Sequence, residues 1–348
     1  MDGARGMNAI HEDPAYRALL AHSARIGADP ALVQGAGGNT SLKRDGVLWV
    51  KASGTWLRDA ERRAIMVPVR MAPLLTALAS DDPRAETARD FVVAEDNPGG
   101  LRPSIETTMH AVLPHRVVVH VHCVETIAWA LREDAAAALA APLAGLPWAF
   151  VPYVRPGPPL MRAIRERLAP ETDILVLGNH GLVVGAADPA AAVALVAMVA
   201  ARLRLPPRAA PPADAPALAR LAAGGAYIPA PPAVHAIATD PAALAVARRG
   251  SFYPDHVIFL GPGIRVIAPD QPLPAGDEAP PMLVVPGKGV LLRRDASPGV
   301  APLARCLADV CARLDPALPL RPLLAEEESA LLNWEAEQYR RVLAASGS

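Results

Sequence analysis

Cysteine is scarce in this chain: 348 residues contain only Cys123, Cys306 and Cys311, with no C-x-x-C pair. Three scattered thiols form no disulfide framework and no redox motif, and Cys123 reads as a small buried residue rather than a nucleophile. Net charge is missing too. The balance of 34 basic and 35 acidic residues leaves −1 at pH 7, with no electrostatic footprint for nucleic acid or anionic lipid. Of the residues, 52% are hydrophobic, but much of that is alanine, and no uninterrupted apolar run approaches the length that crosses a bilayer. Residues 1–7 lack the apolar core of a secretory signal, so a cytoplasmic location is expected. No G-x-G-x-x-G turn joins a strand to a helix, which removes the dinucleotide fingerprint. What remains is a chain long enough to bury a substantial core and to form two domains.

What the chain does have is histidine inside an apolar strand. In Arg116-Val117-Val118-Val119-His120-Val121-His122-Cys123 the two imidazoles stand two residues apart, so a β-strand turns both to one face. Burying them among valines costs free energy unless their nitrogens find partners, and a metal ion would be one. A paired histidine on a sheet face is a weak sign by itself. A third candidate, His180, follows the strand-like run Ile174-Leu175-Val176-Leu177 in a Gly-Asn-His-Gly turn, where glycine lets the backbone bend and present the ring. The plainer reading is a turn histidine that caps its own loop. Glu106 opens a short helix expected to run to about residue 113, with Pro103 and Ser104 as the start signal and Pro114 as the stop. It reads either as an acid complementing the helix dipole or as a fourth ligand. Three imidazoles and a carboxylate make a site for a catalytic divalent ion.

The remaining pattern predicts a helix over 14–27 capped by Asp13, a glycine-rich turn over 35–41, and a strand over 47–50 running into Ala52-Ser53-Gly54. Further helices are predicted over 70–79, 84–92, 124–139, 158–168 and 189–203, with strands over 150–154 and on both sides of His180. This mixed order implies a sheet covered by helices. Residues 206–216 are proline-rich and form the natural linker between a domain at 1–205 and a smaller α/β domain at 217–348. In the second domain strands are predicted over 257–260, 264–267 and 282–285, and helices over 240–249, 302–314 and 325–342. Gly261-Pro262-Gly263 and Gly287-Lys288-Gly289 read as tight turns, since neither has the spacing of a nucleotide loop.

Gly37-Gly38-Asn39-Thr40-Ser41, Ala52-Ser53-Gly54-Thr55, Pro103-Ser104-Ile105-Glu106, His120-Val121-His122 and Asn179-His180-Gly181 stand in the order found in the class II aldolase/adducin family, which the chain resembles. The likeness is strongest to the rhamnulose-phosphate aldolase-like portion of bifunctional aldolase/short-chain dehydrogenase proteins. Their later stretches are similar to Tyr253-Pro254-Asp255-His256, Val285-Pro286-Gly287-Lys288-Gly289 and Glu326-Glu327-Glu328 onward to Trp334-Glu335. The resemblance spans nearly the whole chain, without the dehydrogenase. It implies a three-layer α/β/α domain with a mixed, largely antiparallel central sheet, plus the smaller C-terminal α/β domain.

The same resemblance implies a lyase: a divalent-metal-dependent aldolase that makes or breaks a C–C bond in a sugar phosphate or related hydroxy-carbonyl compound through a metal-stabilised enediolate. His120, His122 and His180 would hold one ion, zinc in first place with manganese or cobalt as alternatives. Glu106 would be the fourth ligand at rest and the general base once substrate displaces it. Asn39, Ser53, Gly54 and Ser104 match the positions that bind substrate phosphate in relatives. Fuculose-phosphate-type aldolases carry two serines before the glutamate; here Ser104 is followed by Ile105, so one hydroxyl is lost. Lys51 would compensate with charge, although it reads first as a solvated strand-edge lysine. A tyrosine supplies the general acid in relatives, and Tyr153, Tyr227 and Tyr253 are unranked candidates. His256 is either a turn histidine or an approach to the site from the second domain. The resemblance further implies a homo-oligomer, a tetramer foremost. Two other outcomes stay open: a sugar-phosphate epimerase or oxo-acid phosphate decarboxylase, although epimerases usually lack a glutamate here, and a non-enzymatic adducin-like interaction module.

Overall fold

The computed structural model describes residues 10–276 and 279–334. Its main sheet has seven strands: β1 Asn39–Arg44, β2 Val47–Lys51, β3 Met66–Arg70, β4 Val117–Val121, β5 Trp148–Val151, β6 Ile174–Leu177 and β7 Gly181–Ala186. They lie in the order β3-β2-β1-β4-β7-β6-β5. All neighbours are antiparallel except β5 and β6, which gives the mixed, largely antiparallel sheet expected.

The two-residue period of β4 sets the layers. Val117, Val119 and Val121 enter an apolar core beneath the helices Pro14–Ala28, Val124–Ala130 and Pro189–Arg202. Val118 enters a second core on the opposite face, with Met109 from the helix Thr107–Val112 and Leu160 and Ile164 from the helix Pro158–Arg165. His120 shares the parity of Val118 and therefore faces that second layer. Opposite it in register stands Asn39 of β1, and on the other side Val183 of β7.

A smaller sheet follows, built from β8 Tyr227–Pro229, β9 Arg265–Val266, β10 Met282–Val285 and β11 Gly289–Arg293 in the order β8-β11-β10-β9. Residues 204–214 run to it without helix or strand. Arg208 pins this segment, donating to Cys311 O at 2.7 Å and pairing with Asp240 at 2.9 Å. One helix of the first unit, with the residue after it, shares its interior with the second. Val124, Ile127, Ala128 and Leu131 belong to the same apolar cluster as Val257, Leu303 and Leu307. No described helix is long and apolar enough to cross a membrane.

Five expectations about elements need correction. Residues 84–92 form two short 3₁₀ turns, Pro83–Glu86 and Arg89–Phe91, separated by Ala88 in the left-handed region at φ 55°, and Val92 bridges to Val69. The helix predicted over 124–139 breaks into Val124–Ala130 and Ala135–Ala140, because Arg132 bridges to Leu320 and Glu133 N–H donates to Pro319 O. Residues 257–260 are helical, not extended: Pro254 starts the helix Pro254–Leu260. His122 lies one residue beyond the end of β4. The helix predicted over 325–342 is seen as Ala325–Leu332, and residues 335–342 fall outside the described residues.

Candidate metal centre

Three chain segments meet above the second layer. β4 and the residue after it bring His120 and His122, the turn between β6 and β7 brings His180, and the residue that caps the helix Thr107–Val112 is Glu106. Gly181 makes the His180 turn possible by close approach. A Cβ there would sit 2.4 Å from Val121 O, so only glycine lets β7 start against β4 immediately after His180. The imidazole centroids lie 4.9–5.3 Å apart, and the ligand nitrogens of the three rings are within 4.8 Å of one another.

Polar contacts fix which nitrogen two of the rings can offer. A backbone carbonyl only accepts, so the 2.9 Å bond between His120 Nδ1 and Leu182 O puts the proton on Nδ1 and leaves Nε2 with its lone pair. His122 Nδ1 faces the Asp255 carboxylate at 3.1 Å, which likewise leaves Nε2. Glu106 reaches toward His180 Nε2 at 3.2 Å with Oε1 and toward His120 Nε2 at 3.5 Å with Oε2. Asn39 Nδ2 donates to Glu106 Oε2 at 2.8 Å and to Ser104 Oγ at 3.2 Å, and Ser104 Oγ also accepts from the Glu106 N–H.

Electrostatics leave this cluster short of positive charge. Burial works to raise the Glu106 carboxyl, but the three histidines and the Asn39 amide outweigh it and hold the group below the usual carboxylate range. Burial pushes His180 down to about 3, against the pull of Glu106, and lowers His120 as well. Glu106 Oε1, His120 Nε2, His122 Nε2 and His180 Nδ1 are buried without a hydrogen-bond partner. Each such group costs about 1–3 kcal/mol. A divalent cation bound by the imidazoles and carboxylate would offset that cost, so the donor set fits such an ion.

Beside the cluster lies a cleft with about 380 Å³ of empty space, counting the part that opens to solvent. His122, His180, Glu106, Asn39, Ser53, Gly54 and Ser104 all line it, while His120 is fully buried behind them. Lys51 lines it as well, which corrects the strand-edge reading: the residue is 2% exposed and its Nζ donates to Ala36 O at 3.0 Å. Ile105 stands where the second serine is missing. Among the described residues no tyrosine lines the cavity. Tyr227 donates to Pro280 O in the smaller unit, Tyr253 is buried with its hydroxyl pushed well up by burial, and Tyr153 lies under Arg321. His256 is structural, bonded to Gly263 O at 2.9 Å and accepting from Phe252 N–H at 3.3 Å. Its neighbour Asp255 is the residue that reaches the site, and sequence reasoning passed over it although it lies in a stretch already singled out. His110 was also missed. It sits one helical turn after Glu106, and Asn39 Oδ1 and Ser41 Oγ are its partners. At the rim, Pro156 lines the cavity while Arg155 stacks on Trp334 at 4.2 Å and pairs with Glu86 at 2.9 Å.

Buried imidazoles and a carboxylate at the end of the central strand of a mixed sheet, opening on a cleft, define an α/β protein with a pocket that could hold a metal. The model of the Class II Aldolase and Adducin N-terminal domain matches residues 18–205, more than half of the chain, and the chain belongs to that family. A curated relative, the uncharacterized oxidoreductase YuxG of Bacillus subtilis (strain 168), is 32% identical over 193 residues, which are 49% of this chain and 26% of the relative. The chain thus spans about a quarter of that protein's length. Among solved structures, the N-terminal class II aldolase domain of a conserved protein from Thermoplasma acidophilum is similar over 55% of this chain and 92% of its own, at 26% identity and a TM-score of 0.47. The L-fuculose-1-phosphate aldolase of Thermus thermophilus is similar over 53% and 92%, at 17% identity and a TM-score of 0.34.

Proposed function

We propose that this chain is a divalent-metal-dependent aldolase acting on small hydroxy-carbonyl compounds, phosphorylated ones foremost. The observation that carries the reading is a buried Glu106 carboxyl set against three imidazoles, two of which, His122 and His180, line a cleft together with Glu106. His120, His122 and His180 would hold the ion, with Glu106 as the fourth group at rest. An ion held there would supply Lewis-acid chemistry, polarising a substrate carbonyl so that the adjacent C–H is more acidic. Glu106 takes the proton from that carbon in the condensation direction and returns it in cleavage, while Asn39 keeps Oε2 oriented. Ser53 and Ser104 offer hydroxyl donors and Lys51 a charge on the same cavity wall, a set suited to an anionic substituent. Zinc is the first choice of ion, and manganese and cobalt suit the same ligands.

The test is metal content by elemental analysis of the parent and of a His120→Ala, His122→Ala double variant. About one equivalent in the parent and almost none in the variant supports the reading and leads to cleavage assays with dihydroxyacetone phosphate and an aldehyde panel. A folded parent that neither carries nor takes up a divalent ion overturns the aldolase, epimerase and decarboxylase readings together and leaves the interaction module.

A further inference from the structure

We propose that Asp255, outside the family-matched segment, is a positioning residue that fixes the His122 ring for metal binding, making the smaller unit a working part of the metal centre. The proposal rests on the metal reading above and deepens it. Asp255 belongs to the helix Pro254–Leu260, and its carboxylate is 1% exposed with Oδ2 3.1 Å from His122 Nδ1. A carboxylate that buried needs a donor, and the imidazole N–H is a donor it faces. The pairing turns Nε2 into the ligand nitrogen and strengthens it as a base, the effect that carboxylate–histidine pairs have at metal sites.

Two independent features point the same way. Gly37 leaves the space: a Cβ there would come 2.8 Å from His122 Nδ1 and 2.9 Å from Asp255 Oδ2, so a side chain would push the pair apart. A second ligand is also held from the smaller unit. Asn179, in the left-handed region at φ 54° and one residue before His180, donates from Nδ2 to Phe252 O at 2.9 Å and to Arg321 O at 2.7 Å. Two of the three imidazoles are therefore aimed by groups that lie beyond residue 205.

Zinc affinity, measured by competition with a chromogenic chelator, is the primary readout, beside far-UV circular dichroism. Asp255→Asn keeps the side-chain shape and removes the charge; the expected result is a folded protein that binds zinc about 10–100-fold more weakly than the parent. A folded variant within about threefold of the parent overturns the proposal while leaving the metal reading intact. Should the variant fail to fold, the imidazole ¹⁵N spectrum of the histidine-labelled, chelated parent decides. A proton on His122 Nδ1 supports the role of Asp255, and the Nε2-protonated tautomer overturns it. A parent that takes up no zinc overturns the metal reading, and the same spectrum still tests the Asp255 contact by itself.

Discussion

Asn39 cannot turn its amide over. The Glu106 carboxylate only accepts, so the Asn39 Nδ2 group faces it at 2.8 Å and Oδ1 is left to accept from His110 Nε2. His110 Nδ1 then accepts from the Ser41 hydroxyl at 2.8 Å. Burial pushes His110 down to about 3 and His256 to about 4, so both are neutral in the folded protein and titrate near 6.5 once unfolded. Between those values the unfolded chain binds more protons. Stability is then full above about pH 6.5 and falls as pH drops toward 4, by up to about 1.4 kcal/mol per pH unit for each histidine. Urea denaturation of chelated protein at pH 7.5 and 5 checks this; equal midpoints would contradict it. Lys51 supports a second expectation at this scale. Lys51→Met keeps the bulk and removes the charge, and should raise KM for a phosphorylated substrate at least about tenfold with a smaller change in kcat, read from initial rates.

At the scale of elements, the sequence is legible where period and caps agree. Asp13 caps the helix Pro14–Ala28 by accepting from Ala15 N–H, and the valine run is β4, with His120 in it and His122 just past its end. It is less legible where a distant segment decides. The turn at Arg132–Asp134 is held by Pro319 and Leu320, and nothing near it in sequence announces them. Val257-Ile258-Phe259-Leu260 is a short apolar run that period alone cannot assign; Pro254 was the local cue to a helix. Within the site, all three imidazoles and Glu106 were visible as motifs, whereas Asp255 stood in a noted stretch but its role was not legible, because its partner His122 lies far away along the chain. The junction of β4 and β7 gives a prediction for an element. Gly181→Ala should destabilise the protein by about 1–3 kcal/mol, since the Val121 carbonyl it would strike is part of the ladder; the denaturation midpoint reads this out.

For the whole molecule, the shared interior matters more than the connecting segment. Removing everything after residue 205 would expose Val124, Ile127, Ala128 and Leu131, now in one core with the second unit, and would strip Asp255 from His122. We expect a 1–205 fragment to aggregate or bind a hydrophobic dye strongly, as light scattering and dye fluorescence would report. A monodisperse fragment with no dye response would mean that the two units fold independently.

The stack of Arg155 on Trp334 has a practical use. Arg155 stands one residue from Pro156, a wall of the cleft, so the indole is linked to that wall through the stacked guanidinium. Only five tryptophans are present in the chain, and a guanidinium over the ring makes emission sensitive to any shift of that loop. Titration with inorganic phosphate should change the intrinsic emission, and Trp334→Phe should abolish the change. The molecule thus carries its own optical reporter of occupancy, usable before any substrate has been identified.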